Sequence, residues 1–377
     1  MRTEVQPAKA ALNVGSVVQV FALALVIAAL SEWLGPLPIA LGVGKVVLLP
    51  MIWALLIGLV LGLLRKRMPG PLKLSLYSQN LAAAVLSCAL FLFIAKLGLL
   101  VGGSLPKLAE VGWGLVLQEL GNLVGCVALG MPVALLLGIK REAIGATFSI
   151  GREPGLAIIG ERFGMDSPEG RGVLAEYITG TLIGAIFISL PLALRAYQWL
   201  EPILGRKRKQ AVVEQAVDLC AAKDEEQAQV PALGLGMRFA SWVLVGAMVL
   251  IGNRIGHGVP VMDALPGVLL IIAAVFVGDL IYVGTRRALP AVCWISFIAM
   301  AMTFPLTPYA AEVAALTGKV NFLAMITPML TFAGLSLAKD IPAFRRLGWR
   351  IVVVSLLANA GVFLAATLIA QTFVHTL

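Results

Sequence analysis

A chain of 377 residues that is 60% apolar and only 13% charged, with a mean hydropathy of +0.96, lies far from the roughly 25% charged content of soluble domains. That composition excludes a soluble enzyme and implies a polytopic membrane protein; strand alternation is absent, so a β-barrel is not expected. The formal net charge of +9 comes from Lys and Arg gathered at the ends of apolar runs, a positive-inside pattern rather than a nucleic-acid surface.

The first apolar run, Val14 to Leu30, follows Arg2 and Lys9 as a signal peptide would, but no small-residue cleavage site closes it. It is therefore expected to remain as the first helix and to finish at the interfacial Ser31, Glu32 and Trp33. Further spans are expected over about Lys45 to Leu64, Ser78 to Val101, Trp113 to Ile139 and Val173 to Leu194. Past a polar stretch, others follow over about Met237 to Ile255, Leu265 to Gly284, Ala291 to Leu316 with interruptions, Phe322 to Ala338, and Ile351 to Phe373. The expected fold is all-α, with about 10–11 transmembrane helices and broken helices among them.

Basic clusters at Arg65 to Arg67, Lys140 and Arg141, Arg206 to Lys209, and Arg286 and Arg287 place those ends, and the N-terminus, in the cytoplasm. Four crossings put Lys140 inside, and a fifth would carry Arg206 outside. The count calls either for another crossing between Ala143 and Gly160 or for a misplaced cluster.

An internal duplication is expected. LPKLAEVG at Leu105 to Gly112 aligns with TPYAAEVA at Thr307 to Ala314, pairing Pro106 with Pro308 and Glu110 with Glu312; Asn122 then pairs with Asn321. Residues 1–204 form the first repeat, 205–236 a polar cytoplasmic linker and 237–377 the second repeat. The charged passage from Lys140 to Arg171 occurs in the first repeat alone.

Ionisable groups at membrane depth cost several kcal/mol, so each marks a candidate site. In the Lys140–Arg171 passage, Gly151, Arg152, Glu153 and Pro154 separate two short apolar pieces, the form of a broken helix or re-entrant hairpin. Arg152 would clamp a carboxylate or phosphate there, with Glu153 as its partner; a solvated cytoplasmic loop is the alternative. Asn122 and Glu119 lie three residues apart on one helical face, Asn122 as a solute contact and Glu119 as an ion-coupling carboxylate or an interfacial one. Asn321 and Thr327, the latter beside the helix-disturbing Pro328, are the solute contacts of the second half. Asp279, with Tyr282 one turn on, is a second ion-coupling candidate, or else a structural hydrogen bonder. Thr303, Pro305, Thr307 and Pro308 break the eighth long segment, and Glu312 beyond them is the third ion-coupling candidate.

Catalytic signals are missing. The four cysteines, Cys88, Cys126, Cys220 and Cys293, lack metal spacing, only His257 and His375 are present, and there is neither a phosphate-binding loop nor a nucleophile beside a histidine. No catalytic residue, metal or cofactor is expected.

QELGN at Gln118 to Asn122, KREAIGATFSIGREP at Lys140 to Pro154 and SPEGRGVLAEYITGT at Ser167 to Thr181 resemble an uncharacterised family of bacterial inner-membrane proteins, a domain of unknown function, over nearly the whole chain. The resemblance implies a polytopic fold and carries no activity. More distantly, repeated halves with interrupted helices are similar to the cation:proton antiporter and anion transporter superfamily, which includes ketodeoxygluconate and bile-acid-type carriers. Together these readings lead to a secondary transporter in a bacterial inner membrane, moving a small polar, anionic organic solute with H⁺ or Na⁺ by alternating access. The alternative is a membrane-embedded enzyme, or an enzyme's partner, acting on a lipid-linked substrate at the cytoplasmic interface. The expected partners are the solute, the coupling ion and the lipid bilayer, with a homodimer compatible and no nucleic acid.

Overall fold

The computed structural model describes residues 13–41, 44–67, 73–107, 113–148, 152–165, 167–184, 233–286, 289–341, 344 and 347–374. The first half contributes helices α1 (Val14–Leu34), α2 (Pro50–Leu63), α3 (Leu76–Gly102), α4 (Trp113–Leu136), α5 (Arg141–Ala146), α6 (Arg152–Phe163) and α7 (Pro168–Gly184). The second contributes α8 (Leu235–His257), α9 (Val261–Gly284), α10 (Ala291–Thr303), α11 (Ala310–Gly318), α12 (Phe322–Leu337) and α13 (Trp349–Val374). Seven of these, α1, α3, α4, α8, α9, α12 and α13, are long and apolar enough to cross a membrane, and α2 and α10 are shorter apolar helices. The protein is an all-α polytopic membrane protein. Its one addition to that class is a short antiparallel hairpin, β1 (Leu37–Leu41) with β2 (Gly44–Leu48), where the Gly- and Pro-containing sequence predicts only a turn. Most of the expected linker, and the end of the fifth expected span, lie outside the described residues.

Capping chemistry starts several helices. Asn13 accepts from the Gly15 and Ser16 amides, Ser75 from Ser78, and Asn321 from Leu323, each satisfying an N–H that has no intrahelical partner. Pro154 falls in the first turn of α6, where its missing N–H removes no helical bond. The expected interruption after Thr303 is present: α10 stops there, and Tyr309, with a left-handed φ of 62°, turns the chain into α11. Pro328 does not break α12, which runs through it.

In lipid, where apolar surface gives no preference for helix over tail, association depends on close packing through small residues. Two crossings show it. On α2 and α12, a Cβ built on Gly334 would lie 2.4 Å from the Leu55 carbonyl oxygen and 2.9 Å from the Leu59 nitrogen. On α4 and α13, a Cβ on Gly361 would lie 2.1 Å from the Gly125 carbonyl oxygen. Both obstacles are backbone, so the helices would have to separate. Gly334→Ala is expected to destabilise the protein by about 1–3 kcal/mol through overpacking, read as a lower unfolding temperature in detergent. An unchanged temperature would show that this crossing is loose.

Contact pairs fix helix directions. Phe21 meets Phe332 and Glu32 meets Thr327, while Phe93 meets Phe322 and Asn80 meets Lys339; α1 and α3 therefore run opposite to α12. Gly58 faces Thr331 to Leu335 and Gly62 faces Ala338, so α2 runs with α12. Helices α1–α3 and α6–α12 enclose the main core, around Phe93, Trp242, Phe332 and their neighbours. A second, smaller core joins α4, α5, α7 and α13 through Ala134, Ala143, Ala146, Ala175, Ile351 and Val354. The proposed repeat partners occupy different surroundings: α12 packs on α2 and α3, whereas α4 packs on α13.

The passage after Lys140 turns back into the protein. The Cys126 thiol on α4 donates to the Thr147 carbonyl at 3.0 Å, and Gly130 faces the Thr147 methyl, so α5 runs back along α4. Gly145 faces Glu169 and Val173 while Gly172 faces Glu142 and Ala146, so α5 and α7 cross in close contact, and the Arg141–Glu169 pair joins the heads of the two helices.

Candidate functional site

Helices α3, α6, α8, α9 and α10 surround a cavity of about 320 Å³ whose lining includes Ser87, Phe91, Glu161, Arg238 and Tyr282. This is the low end of the volume range of small-molecule sites. Arg238 lies in the first turn of α8 and donates from Nη2 to Asp279 Oδ1 on α9. Asp279 is fully buried, and its Oδ2 has no hydrogen-bond partner among the described residues. The guanidinium lies 5.8 Å from the centre of the Phe91 ring and 5.7 Å from that of Trp242, favourable cation–π placements in an apolar setting. Trp242 is held in turn by its indole N–H, which donates to the Cys88 carbonyl at 3.0 Å. Helices α9 and α10 approach closely at Gly278 and Ile295.

Glu161 brings the Lys140–Arg171 passage to this cavity. Its Oε1 accepts from the Ala291 amide at 2.9 Å, capping the first N–H of α10, and its Oε2 is buried without a hydrogen-bond partner. One carboxylate therefore ties α6 to α10 and leaves an oxygen over for a proton or a donor. Among the described residues the cavity lining brings together a guanidinium, the Glu161 carboxylate with an unsatisfied oxygen, a phenol and a serine hydroxyl, and a second carboxylate, Asp279, is joined to it through Arg238, enough to bind an anion and exchange a proton.

Of the residues the sequence singles out, Asp279 and Tyr282 belong to this constellation. The others lie elsewhere. Asn122 donates to Glu119 at 2.9 Å on an exposed part of α4, the intrahelical pair their spacing predicts. Glu312 is exposed on α11. Gly151 and the side chains of Arg152, Glu153 and Pro154 lie outside the described residues. Asn321 and Thr327 join a separate polar cluster where α1, α8 and α12 meet: Thr327 Oγ1 is 2.5 Å from Glu32 Oε1, and the Asn321 amide donates to Asn253 Oδ1 at 3.1 Å. Nearby, the buried Lys96 ammonium on α3 donates to the Thr317 carbonyl at 2.5 Å.

The head of α7 is fixed by charge. Arg141 grips Glu169 at both oxygens, at 2.8 and 3.2 Å, with the carboxylate side chain buried and the guanidinium largely exposed. Burial pushes the Glu169 carboxyl up, but the Arg141 hydrogen bonds, followed by backbone and Ser167 hydrogen bonding, outweigh it and hold the group below the usual carboxylate range. A lowered folded value means stability present above the unfolded value near ~4.3 and lost as pH falls through the folded one. Arg141→Ala is expected to cost about 1–2 kcal/mol near neutral pH, discounted for the exposed guanidinium, and less in acid. A cost that does not shrink in acid would contradict this pairing.

The sequence singles out none of Arg238, Glu32 and Lys96, and points to Glu161 only as a surface carboxylate of the alternative enzyme reading. Lys96 had the clearest signal, a lysine within the apolar run FLFIAKLGLL; Arg238 and Glu32 sit at span ends, where charged residues are ordinarily wet.

No curated protein and no solved structure matches the chain. Residues 29–203, which contain the whole Lys140–Arg171 passage and Glu161, match the model of a family described as a protein of unknown function (DUF3100), so over that stretch the chain is similar to an uncharacterised family.

Proposed function

We propose that the protein is a proton-coupled secondary transporter of a small anionic organic solute, with Arg238 as the anion-binding group and Asp279 as the proton carrier. The observation that supports this reading is the half-buried Arg238 on the wall of a cavity among apolar helices, paired with a fully buried Asp279. A guanidinium offers five donors in a planar fork that matches a carboxylate. A solute carboxylate entering the cavity competes with Asp279 for that fork. Two carboxylates at one guanidinium do not both stay ionised without cost, so solute binding favours protonation of Asp279, and deprotonation favours solute release. Glu161 and Tyr282 orient the polar remainder of the solute.

Helix α6 touches α3 and α10 on one side and α7 on the other. Its Leu156, Ala157 and Ile159 are buried in the main core with Val173, Leu174 and Tyr177 of α7, while Ala175 of α7 reaches the smaller core, so rocking of one bundle against the other would act on the cavity through α6 and α7. The reading puts the N-terminus in the cytoplasm of a bacterial inner membrane, supported by the basic residues at the ends of the apolar runs. Purified protein in proteoliposomes, given an inward proton gradient and a panel of mono- and dicarboxylates, is expected to accumulate at least one of them. Absence of flux across that panel sinks the reading, and accumulation driven by Na⁺ but not by protons replaces the coupling ion.

A further inference from the structure

We propose that Glu32 is a second proton-binding site, distinct from Asp279, that carries its proton as a carboxylic acid in the conformation seen here and exchanges it through His257. Glu32 closes α1 and is 2% exposed. Its Oε1 lies 2.5 Å from Thr327 Oγ1 on α12, and the same hydroxyl lies 3.1 Å from the Leu323 carbonyl. A threonine hydroxyl has one hydrogen. If Thr327 gives it to Leu323, the Glu32 contact needs a hydrogen of its own, and a carboxylic acid O–H supplies it. If Thr327 gives it to an ionised Glu32, Leu323 loses that bond. The protonated arrangement satisfies both contacts.

The surroundings of Oε2 point the same way. It is buried without a hydrogen-bond partner among the described residues. It abuts Gly256, where an added Cβ would lie 2.2 Å from it, so α8 supplies a niche with no side chain in it. Titratable and charged groups in this part of the fold come from three elements. His257 and Arg254 are on α8, Lys96 is on α3, and Lys319 follows α11. Arg254 donates to the Gly258 carbonyl and Lys96 to the Thr317 carbonyl, while Lys319 is exposed and offers its carbonyl to Asn253. His257 Nε2 alone among the described residues comes within ion-pair range, at 4.0 Å. An ionised carboxylate left so nearly uncompensated is expensive at this burial, and a protonated one is not. The His257 side chain is 25% exposed and spans from Oε2 to the surface, so it is the route by which the proton enters and leaves.

Protonation here decides how the end of α1 is tied to the first turns of α12. Neither Arg238 nor Asp279 takes part, so this assignment stands or falls apart from the transport reading. Infrared difference spectra of the protein in lipid nanodiscs, recorded near neutral pH, test it. A carboxylic-acid C=O band is expected that disappears in Glu32→Gln, moves to higher frequency in Thr327→Val as its hydrogen bond is lost, and exchanges with deuterium more slowly in His257→Gln. Glu32→Gln imitates the protonated acid and is expected to fold and melt like the wild type. The proposal is overturned if no acid band depends on Glu32, or if Glu32→Gln abolishes a stabilisation by Na⁺ over choline, which would make the niche a cation site.

Discussion

Arg238→Ala is expected to lower solute uptake by about 100-fold or more, the equivalent of losing about 3 kcal/mol of charge-assisted hydrogen bonding. The same substitution strands a fully buried Asp279, and breaking one side of a buried ion pair costs about 3–5 kcal/mol, so lost uptake alone would not separate a binding role from a structural one. The double variant Arg238→Met with Asp279→Leu separates them. Replacing both partners of a buried pair with apolar groups of similar volume is often neutral or stabilising, so stability is expected to return while uptake stays absent. Recovery of uptake in that folded double variant would remove Arg238 from the transport mechanism.

Asp279→Asn has the second large effect. The amide keeps the shape of the carboxyl and one acceptor oxygen for Arg238 but cannot carry a proton or compete as an anion. Solute binding is expected to strengthen, because the guanidinium no longer has a charged rival, whereas accumulation against a gradient is expected to fail because proton release no longer drives solute off. Counterflow exchange of labelled for unlabelled solute should survive. A variant that still concentrates solute under an imposed proton gradient would exclude Asp279 as the coupling group.

Much of the fold is legible before any coordinates. Long apolar runs with basic ends map closely onto α1, α3, α4, α8, α9, α12 and α13, because a bilayer core accepts little else. The broken segment after Thr303 is legible from its prolines, and the head of α6 is marked by the Gly-Arg-Glu-Pro tetrad. The site is legible only in half. Asp279 stands out as a lone acid within a span, but its partner Arg238 sits 41 positions away at a helix end, and only the antiparallel packing of α8 and α9 brings the two together. Glu161 is similar: its chemistry depends on meeting the head of α10, 130 positions away. Conversely, Glu119 and Asn122 present the right spacing for a polar pair and form one, on a face that nothing else in the cavity approaches.

The Lys140–Arg171 passage shows why charge parity is an incomplete guide. Counting basic clusters assumes that each apolar piece crosses. Here α5 instead runs back along α4 and meets α7 at Gly145 and Gly172. Its contribution to the cavity is Glu161, near the far end of α6 from Arg152, a position set by tertiary packing on α3 and α10.

The central claim is that a solute carboxylate and Asp279 share one guanidinium. Proton uptake measured on binding of an accepted anion, with a pH-sensitive dye and weakly buffered detergent-solubilised protein, tests it most directly. About one proton is predicted to be taken up for each anion bound by the wild type, and none by Asp279→Asn. Binding with no proton uptake in the wild type, or with equal uptake in both proteins, would contradict it.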